Sequence, residues 1–489
     1  MKNPNIRFTA IVLALGALAF LPQVLAVSPP PNGCYPGLTT AEGCSALFSL
    51  TSGTGNTAIG HDALFSDTEG SWNTGVGAIA LGLNNGDFNT AVGVAALLLN
   101  DTSGSNTALG AAALLFNNSG EENTATGAFA MYNNTEGDFN TANGAFALYF
   151  NTVGERNTAI GDSALYQNSN GNRNTAVGNV ALLINTEGQD NTAIGVGALR
   201  SNTVGDQNTA SGVQALSSNT IGIVNTAMGD HALTSNTEGT SNTAIGVDAL
   251  HDNTSGGGNT ATGFDALLHN DTGDYNTATG LFCLGGLTTG TNNTGVGRSA
   301  GTSVTTADHV ICIGANVGGA NVSNSCYIGE IWQQPGGSQA VYVNSDGKLG
   351  ALVSSRRFKD EIKPMEHSSE VIYRLNPVSF RYKAEIDPGR PASFGLIAEE
   401  VENVHPDLVL RDKDGKPYTV RYDQVNAMLL NEFLKEHRKN EQQESKIAEQ
   451  ESKIARQEKQ IKLLSVGLQK VSAQLETSRP DSRMAATDR

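Results

Sequence analysis

Positive charge is the scarcest property of this 489-residue chain. No lysine occurs between Lys2 and Lys348, and arginine is rare there, whereas acidic residues are scattered throughout and the net charge of the chain is −17. An acidic surface with so few basic groups repels phosphate backbones. The composition therefore excludes nucleic acid as a partner of this long region.

Sequence patterns for metal, phosphate and nucleophile sites are also missing. The eight histidines show no metal-ligand spacing, and the chain has no phosphate-binding glycine loop, no nucleophile elbow and no Asp-x-Asp calcium loop. We therefore predict no metal and no cofactor. A glycan-processing enzyme needs a distinct pair of carboxylates, which a uniform repeat does not provide.

Cysteine is scarce, and the odd count of five leaves at least one thiol unpaired within the chain. Cys34 and Cys44 are candidates for a loop-closing disulfide, and Cys283, Cys312 and Cys326 cluster further along the chain. The alternative is that some of them are simply small buried residues. Cys283 favours this alternative because it occupies a position that is alanine in the other repeats.

Long hydrophobic runs are limited to the N-terminus. Lys2 and Arg7 accompany the apolar run Phe8–Leu21, and Val24–Ala26 is a plausible cleavage site. The run is shorter than the about 20 residues that a membrane helix needs. Residues 1–26 are therefore predicted to be a cleaved export signal, with an uncleaved anchor as the alternative, and no other segment is predicted to span a membrane as a helix. We expect the protein to be extracellular or at the cell surface.

What the chain has in abundance is a repeat. Asn-Thr-Ala-x-Gly-x-x-Ala-Leu returns every 17 residues, with one step short by a residue between Asn73 and Asn89. A unit this short cannot bury its own core, so neighbouring units must stack. Recurrent glycine and Asn-Thr pairs between short apolar pairs predict turns and short strands. Residues 27–330 are therefore predicted to form a parallel β-solenoid, either a β-roll or a β-helix.

Equivalent residues of successive repeats should form ladders along this solenoid. We expect a buried leucine ladder, an asparagine side-chain ladder and glycines with positive φ. The residue between alanine and glycine varies, as at Ile59, Thr126 and Asn143, so this position is predicted to face solvent or a partner chain. The repeats resemble the β-roll repeats of trimeric bacterial adhesin heads, which implies a homotrimer. The lead asparagines are Asn56, Asn73, Asn89, Asn106, Asn123, Asn140, Asn157, Asn174, Asn191, Asn208, Asn225, Asn242, Asn259, Asn276 and Asn293.

From residue 331 the repeat is lost, and residues 331–353 are predicted to be a stalk with a short hairpin. Four later blocks resemble, in order and spacing, the intramolecular chaperone domain of phage endosialidases, tail spikes and tail fibres. The resemblance covers roughly residues 350–438 and implies a small α+β domain at residues 354–438. Ser355 and Glu399 stand where the family usually has Asp and Gln. The four blocks are Ser354–Ile362, Leu375–Tyr382, Phe394–Val401 and Pro406–Val409.

The resemblance also implies self-cleavage between Val353 and Ser354, with Ser354 as the nucleophile and Lys359 as the general base. A lysine acts as a base only when it is neutral, and the positive charge of Arg356–Arg357 together with desolvation by Phe358 would favour the neutral form. Residues five apart do not face each other on a helix. The dyad therefore needs either a turn or a lysine from a neighbouring protomer.

The last part of the chain carries a heptad pattern. Apolar residues at a and d positions with charged flanks predict a coiled coil at residues 439–476, and residues 477–489 are predicted to be a disordered tail. Polar Gln450 and Gln457 occupy two of the d positions. The apolar a positions are Ile447, Ile454, Ile461, Leu468 and Leu475, and the apolar d positions are Leu464 and Val471.

Together these features predict an exported homotrimeric fibre whose C-terminal domain drives assembly and cleaves itself before Ser354. The alternative is a surface adhesin that retains this domain, if Ser355 disables the dyad. The predicted partners are further copies of the chain and an unidentified cell-surface or glycan ligand of the solenoid.

Overall fold

The computed structural model describes residues 33–35, 37–331, 341–343, 348–350, 353–387, 389–412 and 414–478. The chain divides into two compact units, Met1–Gln334 and Pro335–Arg489. The predicted signal and all but the first two residues of the predicted tail lie outside the described residues. Within the described residues, no helix is long and apolar enough to cross a membrane.

The first unit is a solenoid, called the rod below, in which each repeat forms one rung. A 19-stranded sheet runs along it, and from the second strand onward every strand pairs in parallel with the strand one rung further on. The strands are β1 (Gly33–Tyr35), β2 (Thr39–Glu42), β3 (Thr57–Ile59), β4 (Thr74–Val76), β5 (Thr90–Val92), β6 (Thr107–Leu109), β7 (Thr124–Thr126), β8 (Thr141–Asn143), β9 (Thr158–Ile160), β10 (Thr175–Val177), β11 (Thr192–Ile194), β12 (Thr209–Ser211), β13 (Thr226–Met228), β14 (Thr243–Ile245), β15 (Thr260–Thr262), β16 (Thr277–Thr279), β17 (Thr294–Val296), β18 (Ile311–Ile313) and β19 (Cys326–Ile328).

The strand register follows the repeat residue by residue. Thr175 pairs with Thr192 and Ala176 pairs with Ala193, so identical residues lie on top of each other. In strands β3 to β18 the middle residue points inward and is buried, while the third, the variable position, is half-buried or exposed. The predicted parallel β-solenoid is therefore confirmed, and the variable position lies on the outer face of the sheet.

The core of the rod is a double ladder of alanine and leucine. Each of these leucines is fully buried, and burying one such side chain contributes about 1.5–3 kcal/mol, so every added rung extends the core by a similar amount. Met131 takes the leucine position on one rung. Fully buried members of this ladder include Leu64, Leu81, Leu97, Leu114, Leu148, Leu165, Leu182, Leu199, Leu216, Leu233 and Leu250.

Two asparagine ladders satisfy the buried backbone. In the predicted one, Asn157 Nδ2 donates to the Gly171 carbonyl at 2.8 Å, and Asn157 Oδ1 accepts from the Asn174 backbone N–H at 3.0 Å. A second ladder, which we did not predict, lies eleven residues further on each rung, where Asn168 Nδ2 donates to Asn151 Oδ1 at 2.8 Å. Buried amide groups are stable only when hydrogen-bonded, and these ladders supply the bonds.

Each rung bends through left-handed residues. The repeat glycines have positive φ as expected, for example 133° at Gly161, but so do the buried leucines, with 51° at Leu165. A left-handed conformation costs a non-glycine residue about 1–2 kcal/mol. Its recurrence on rung after rung shows that side-chain burial and inter-rung hydrogen bonds outweigh this strain.

The cysteines of the rod are free thiols at Cys44, Cys283, Cys312 and Cys326, whereas the side chain of Cys34 lies outside the described residues. Cys283 and Cys312 are buried, and burial raises the pKa of the Cys283 thiol to about 11. These two residues act as small core residues, as the alternative interpretation proposed.

The second unit is small and mixed. A core of valine and leucine side chains, centred on Val401, Leu408 and Val420, holds its short elements together. Its strands form three antiparallel pairs: β20 (Tyr342–Val343) with β21 (Leu349–Gly350), β22 (Val378–Phe380) with β23 (Ser393–Gly395), and β24 (Val409–Arg411) with β25 (Pro417–Val420). Three 3-10 helices span Arg356–Phe358, Glu366–Arg374 and Pro406–Leu408. The two α-helices are α1 (Ala398–Val404) and α2 (Tyr422–Thr477).

Helix α2 runs without a break from within the predicted domain at residues 354–438 through the predicted coiled coil at residues 439–476. Its heptad side chains are exposed within one chain: Ile447 by 53%, Ile461 by 64% and Leu468 by 70%. Apolar a and d residues are buried in a coiled coil only by a partner helix. The coiled coil and the homotrimer therefore stay predictions, for which this unpartnered seam provides the surface.

Candidate functional site

The predicted dyad is brought together by a tight turn. Ser355 is extended, with φ −64° and ψ 142°, and the 3-10 helix Arg356–Phe358 then reverses the chain. Lys359 Nζ donates a hydrogen bond to Ser354 Oγ at 3.3 Å. Of the two arrangements that the spacing allowed, the turn is present, and it places the two side chains within hydrogen-bond distance in one chain.

The surroundings of the dyad are open to solvent. Ser354 and Lys359 are both exposed, and so is Val353, whose carbonyl belongs to the peptide bond predicted to be cut. Phe358, expected to desolvate the lysine, instead lies under the guanidinium of Arg357, whose central carbon is 4.6 Å from the ring centroid. Within one chain, water therefore reaches the whole site.

Ser355, which differs from the family pattern, occupies the N-cap of the 3-10 helix Arg356–Phe358. Its side chain makes no capping hydrogen bond. Aspartate is among the best N-cap residues because its carboxylate accepts bonds from the first backbone N–H groups of a helix. Serine caps helices about as well as aspartate does, but here its hydroxyl makes no such bond, so the turn has no side-chain cap.

A polar cluster that is buried at Ser369 and Glu432 ties the 3-10 helix Glu366–Arg374 to α2. The Glu432 carboxylate accepts hydrogen bonds from the Ser369 hydroxyl, from Tyr373 OH at 2.8 Å and from Lys435 Nζ at 2.7 Å. Lys435, then the hydroxyl of Ser369, lowers the pKa of Glu432 from its usual 4.5 to about 2. Charge-assisted bonds of this kind are stronger than neutral ones, so the cluster anchors the domain to the helix.

Sequence reasoning missed this cluster. Glu432 and Lys435 are three residues apart on one helix, which gave a weak signal. Ser369 and Tyr373 lie about sixty residues upstream, and no local pattern pairs them with α2.

The arrangement at residues 353–359 is suited to acyl transfer on the chain itself. A hydroxyl beside an amine is the minimal pair for nucleophilic catalysis, and the bond between Val353 and Ser354 is covalently adjacent to the hydroxyl. Comparison with curated proteins and with solved structures gives no match for the chain. Comparison with protein families identifies residues 354–410, beginning at Ser354 itself, as matching the family described as the chaperone of endosialidase.

Proposed function

We propose that the chain is an exported homotrimeric fibre whose C-terminal unit assembles three copies and then cuts itself off between Val353 and Ser354. The observation that carries the proposal is the coincidence of two facts at one residue. The family match begins at Ser354, and Lys359 lies 3.3 Å from the hydroxyl of that serine.

The proposed reaction uses only groups of this chain and water. Ser354 Oγ attacks the Val353 carbonyl carbon while Lys359 Nζ, as a neutral amine, takes the hydroxyl proton. The peptide C–N bond breaks, the lysine returns the proton to the departing Ser354 amine, and an ester joins Val353 to the serine oxygen. Water then hydrolyses the ester, which leaves a carboxylate on Val353 and a free amino group on Ser354.

Assembly is proposed to switch this reaction on. The dyad is exposed in one chain, and an exposed lysine is solvated in its charged form, which cannot act as a base. A neighbouring copy that covers residues 353–359 would exclude water and favour the neutral amine. Cleavage would then follow correct assembly and leave the rod as the mature fibre.

The test is intact mass measurement on the purified full-length protein and three variants. We expect the wild type to yield a fragment that begins at Ser354, Ser354→Ala and Lys359→Ala to stay uncut, and the matched control Ser355→Ala to be cut. Light scattering on the same samples should show trimers throughout. An uncut wild-type trimer would refute the peptidase and leave only the assembly function.

A second candidate is a fibre that keeps its C-terminal unit attached and acts as an adhesin for a cell-surface or glycan ligand. Ser355 favours it, because the usual aspartate is replaced and the turn carrying the dyad has no side-chain cap. Ser355→Asp distinguishes the two candidates. Cleavage that appears only in this variant would establish the retained fibre as the natural form.

A further inference from the structure

The outer surface of the rod carries a run of stacked rings. Phe129 and Phe146 stack with centroids 5.3 Å apart and planes 6° apart, and Tyr132 and Tyr149 stack at 5.0 Å and 1°. Tyr149 continues the stack to Tyr166 at 5.2 Å. We call this set the aromatic ladder; its members are Phe116, Phe129, Tyr132, Phe146, Tyr149, Phe150 and Tyr166.

The aromatic ladder continues into an aliphatic cluster on the N-terminal rungs. Ala95, Ala112 and Leu115 are buried there and pack with Leu98 and other apolar side chains, apart from the main core of the rod. Ring contacts join this cluster to the ladder through Phe116 and Tyr132. The result is one uncharged strip along the rod, whose side chains all come from residues 79–166.

On rungs further along the rod, some of the same positions carry charge. His251 and Asp252 stand six rungs beyond Tyr149 and Phe150, and Asp252 contacts both His251 Nδ1 at 2.7 Å and His269 Nδ1 at 2.8 Å. One side of the rod thus changes from apolar to ionic along its length.

The ring geometry indicates the kind of partner. Sugar rings dock on open aromatic faces, but here each face is turned to the ring of the next rung, and Phe150 closes against Tyr149 edge-on at 4.6 Å. What remains accessible is mainly ring edges beside aliphatic groups, with Phe129 and Phe146 exposed by 37% and 38%. Such a surface packs against another apolar protein surface rather than a glycan.

We propose that this strip is where the rod of one copy docks on the rods of the others, parallel and in register, around a common axis. The proposal rests on the assembly function proposed above. A chain of net charge −17 repels its own copies, and the strip is a long surface without charge where they can approach. Homo-oligomers commonly bury such patches against copies of themselves.

The strip also addresses a problem specific to repeats. Rungs that are nearly identical allow two rods to slip by 17 residues at little loss of contact. The whole aromatic ladder faces itself only in register, because each rung of slippage removes one layer of ring contact. Slippage by six rungs places rings against the Asp252 carboxylate, which burial against an apolar surface disfavours. The strip therefore specifies the alignment of the copies.

The test places a photo-crosslinking benzophenone amino acid at Tyr149 of the full-length chain carrying Ser354→Ala. We expect a two-chain product whose crosslink maps to the aromatic ladder of another copy. The control position is Phe88, which is 61% exposed on the same half of the rod but at another position of the repeat, and it should give about tenfold less product. Adding Phe146→Glu should reduce the Tyr149 product by about tenfold, while Phe88→Glu should not.

The outcomes separate this proposal from the assembly function. A trimer by light scattering without a two-chain product at Tyr149, or with equal product at Phe88, refutes the docking strip and leaves assembly intact. A monomer by light scattering refutes both. A crosslink to residues outside the ladder of the other copy refutes the in-register arrangement.

Discussion

The rod buries most of its leucine side chains within one chain, whereas the C-terminal unit leaves the apolar seam of α2 exposed. In the rod, the core leucines and the ladder asparagines find their partners on neighbouring rungs of the same chain, and both sets are buried. In the C-terminal unit, the seam of α2 stays more than half exposed at Ile454 and Leu475. A stacked repeat can be stable by itself, but outside the proposed docking strip it carries little information about how copies align. The C-terminal unit has a small core and leaves an apolar seam exposed within one chain.

The largest effect should come from placing charge in the α2 seam. With Ile454→Asp and Ile461→Asp together, two layers of the proposed coiled coil would bury carboxylates without partners, which costs several kcal/mol per layer. We expect the full-length protein to become monomeric by light scattering while the circular dichroism of the rod is retained.

The matched control is Ala455→Asp together with Gln469→Asp, because this pair adds the same two charges, each one residue outside the seam. It should stay trimeric. A trimer in the Ile454→Asp and Ile461→Asp double variant would show that α2 does not hold the copies together. The exposed seam of α2 would then not be the surface that distinguishes the C-terminal unit from the rod.

The next largest effect should be a loss of rod stability when a side chain is added at a repeat glycine. At Gly161, φ is 133° and an added Cβ would lie 2.5 Å from the Gly178 carbonyl oxygen, so two rungs must separate. We expect Gly161→Ala to lower the free energy of unfolding by about 3 kcal/mol or more, measured by thermal and denaturant unfolding.

Gly197→Ala is the control for this variant. Gly197 also has positive φ, at 67°, but the nearest atom to an added Cβ is 3.7 Å away. It should cost only about 1 kcal/mol, the price of a left-handed alanine. Equal losses in both variants would show that backbone strain, and not the contact between rungs, limits the rod.

The sequence predicted the rod better than it predicted the C-terminal unit, for a physical reason. Period, strand register and inward-facing leucines all follow from a repeat in which each residue meets its own equivalent. The left-handed φ of Leu165 was not predicted, because leucine disfavours it unless burial compensates. The second asparagine ladder had a signal in the recurring Asn eleven residues after the lead Asn, which we did not use.

In the C-terminal unit, the sequence predicted only contacts between residues that lie close together in the chain. Ser354 and Lys359 are five residues apart, and the family resemblance was enough to pair them. The bonds that join Ser369 and Tyr373 to Glu432 connect residues far apart in sequence that have no shared period. Contacts of this kind are set by the tertiary fold.

The Glu432 cluster gives the C-terminal unit a pH dependence. Because the folded state lowers the pKa of Glu432 from 4.5 to about 2, its stabilisation is fully present above pH 4.5 and is lost as the pH falls towards 2. We expect Glu432→Gln to destabilise the unit at pH 7 and to flatten its stability between pH 4.5 and 2, followed by tyrosine near-ultraviolet circular dichroism. Glu436→Gln, one turn further on and paired with Lys439 on the surface, should change both much less. A normal acid transition in Glu432→Gln would contradict this role.

The smallest effect is a gain of stability, and it lies in the rod. Asp67 stands where later rungs have the second asparagine ladder; it is fully buried, and in the described part of the chain its Oδ2 has no hydrogen-bond partner. Burial raises its pKa to about 7, so the folded state favours the protonated carboxyl. The contribution of Asp67 to the stability of the rod is therefore most favourable below pH 4 and is lost as the pH rises through 7.

Asp67→Asn removes this charge and restores a donor towards the Gly70 carbonyl, as Asn134 donates to Gly137 at 2.9 Å. We expect Asp67→Asn to raise the melting temperature at pH 8 and to change it little at pH 4. The gain in the free energy of unfolding at pH 8 should not exceed about 4 kcal/mol. The surface control Asp101→Asn should show no such difference, and equal melting of Asp67→Asn and wild type at pH 8 would mean that the first rungs already tolerate the buried charge.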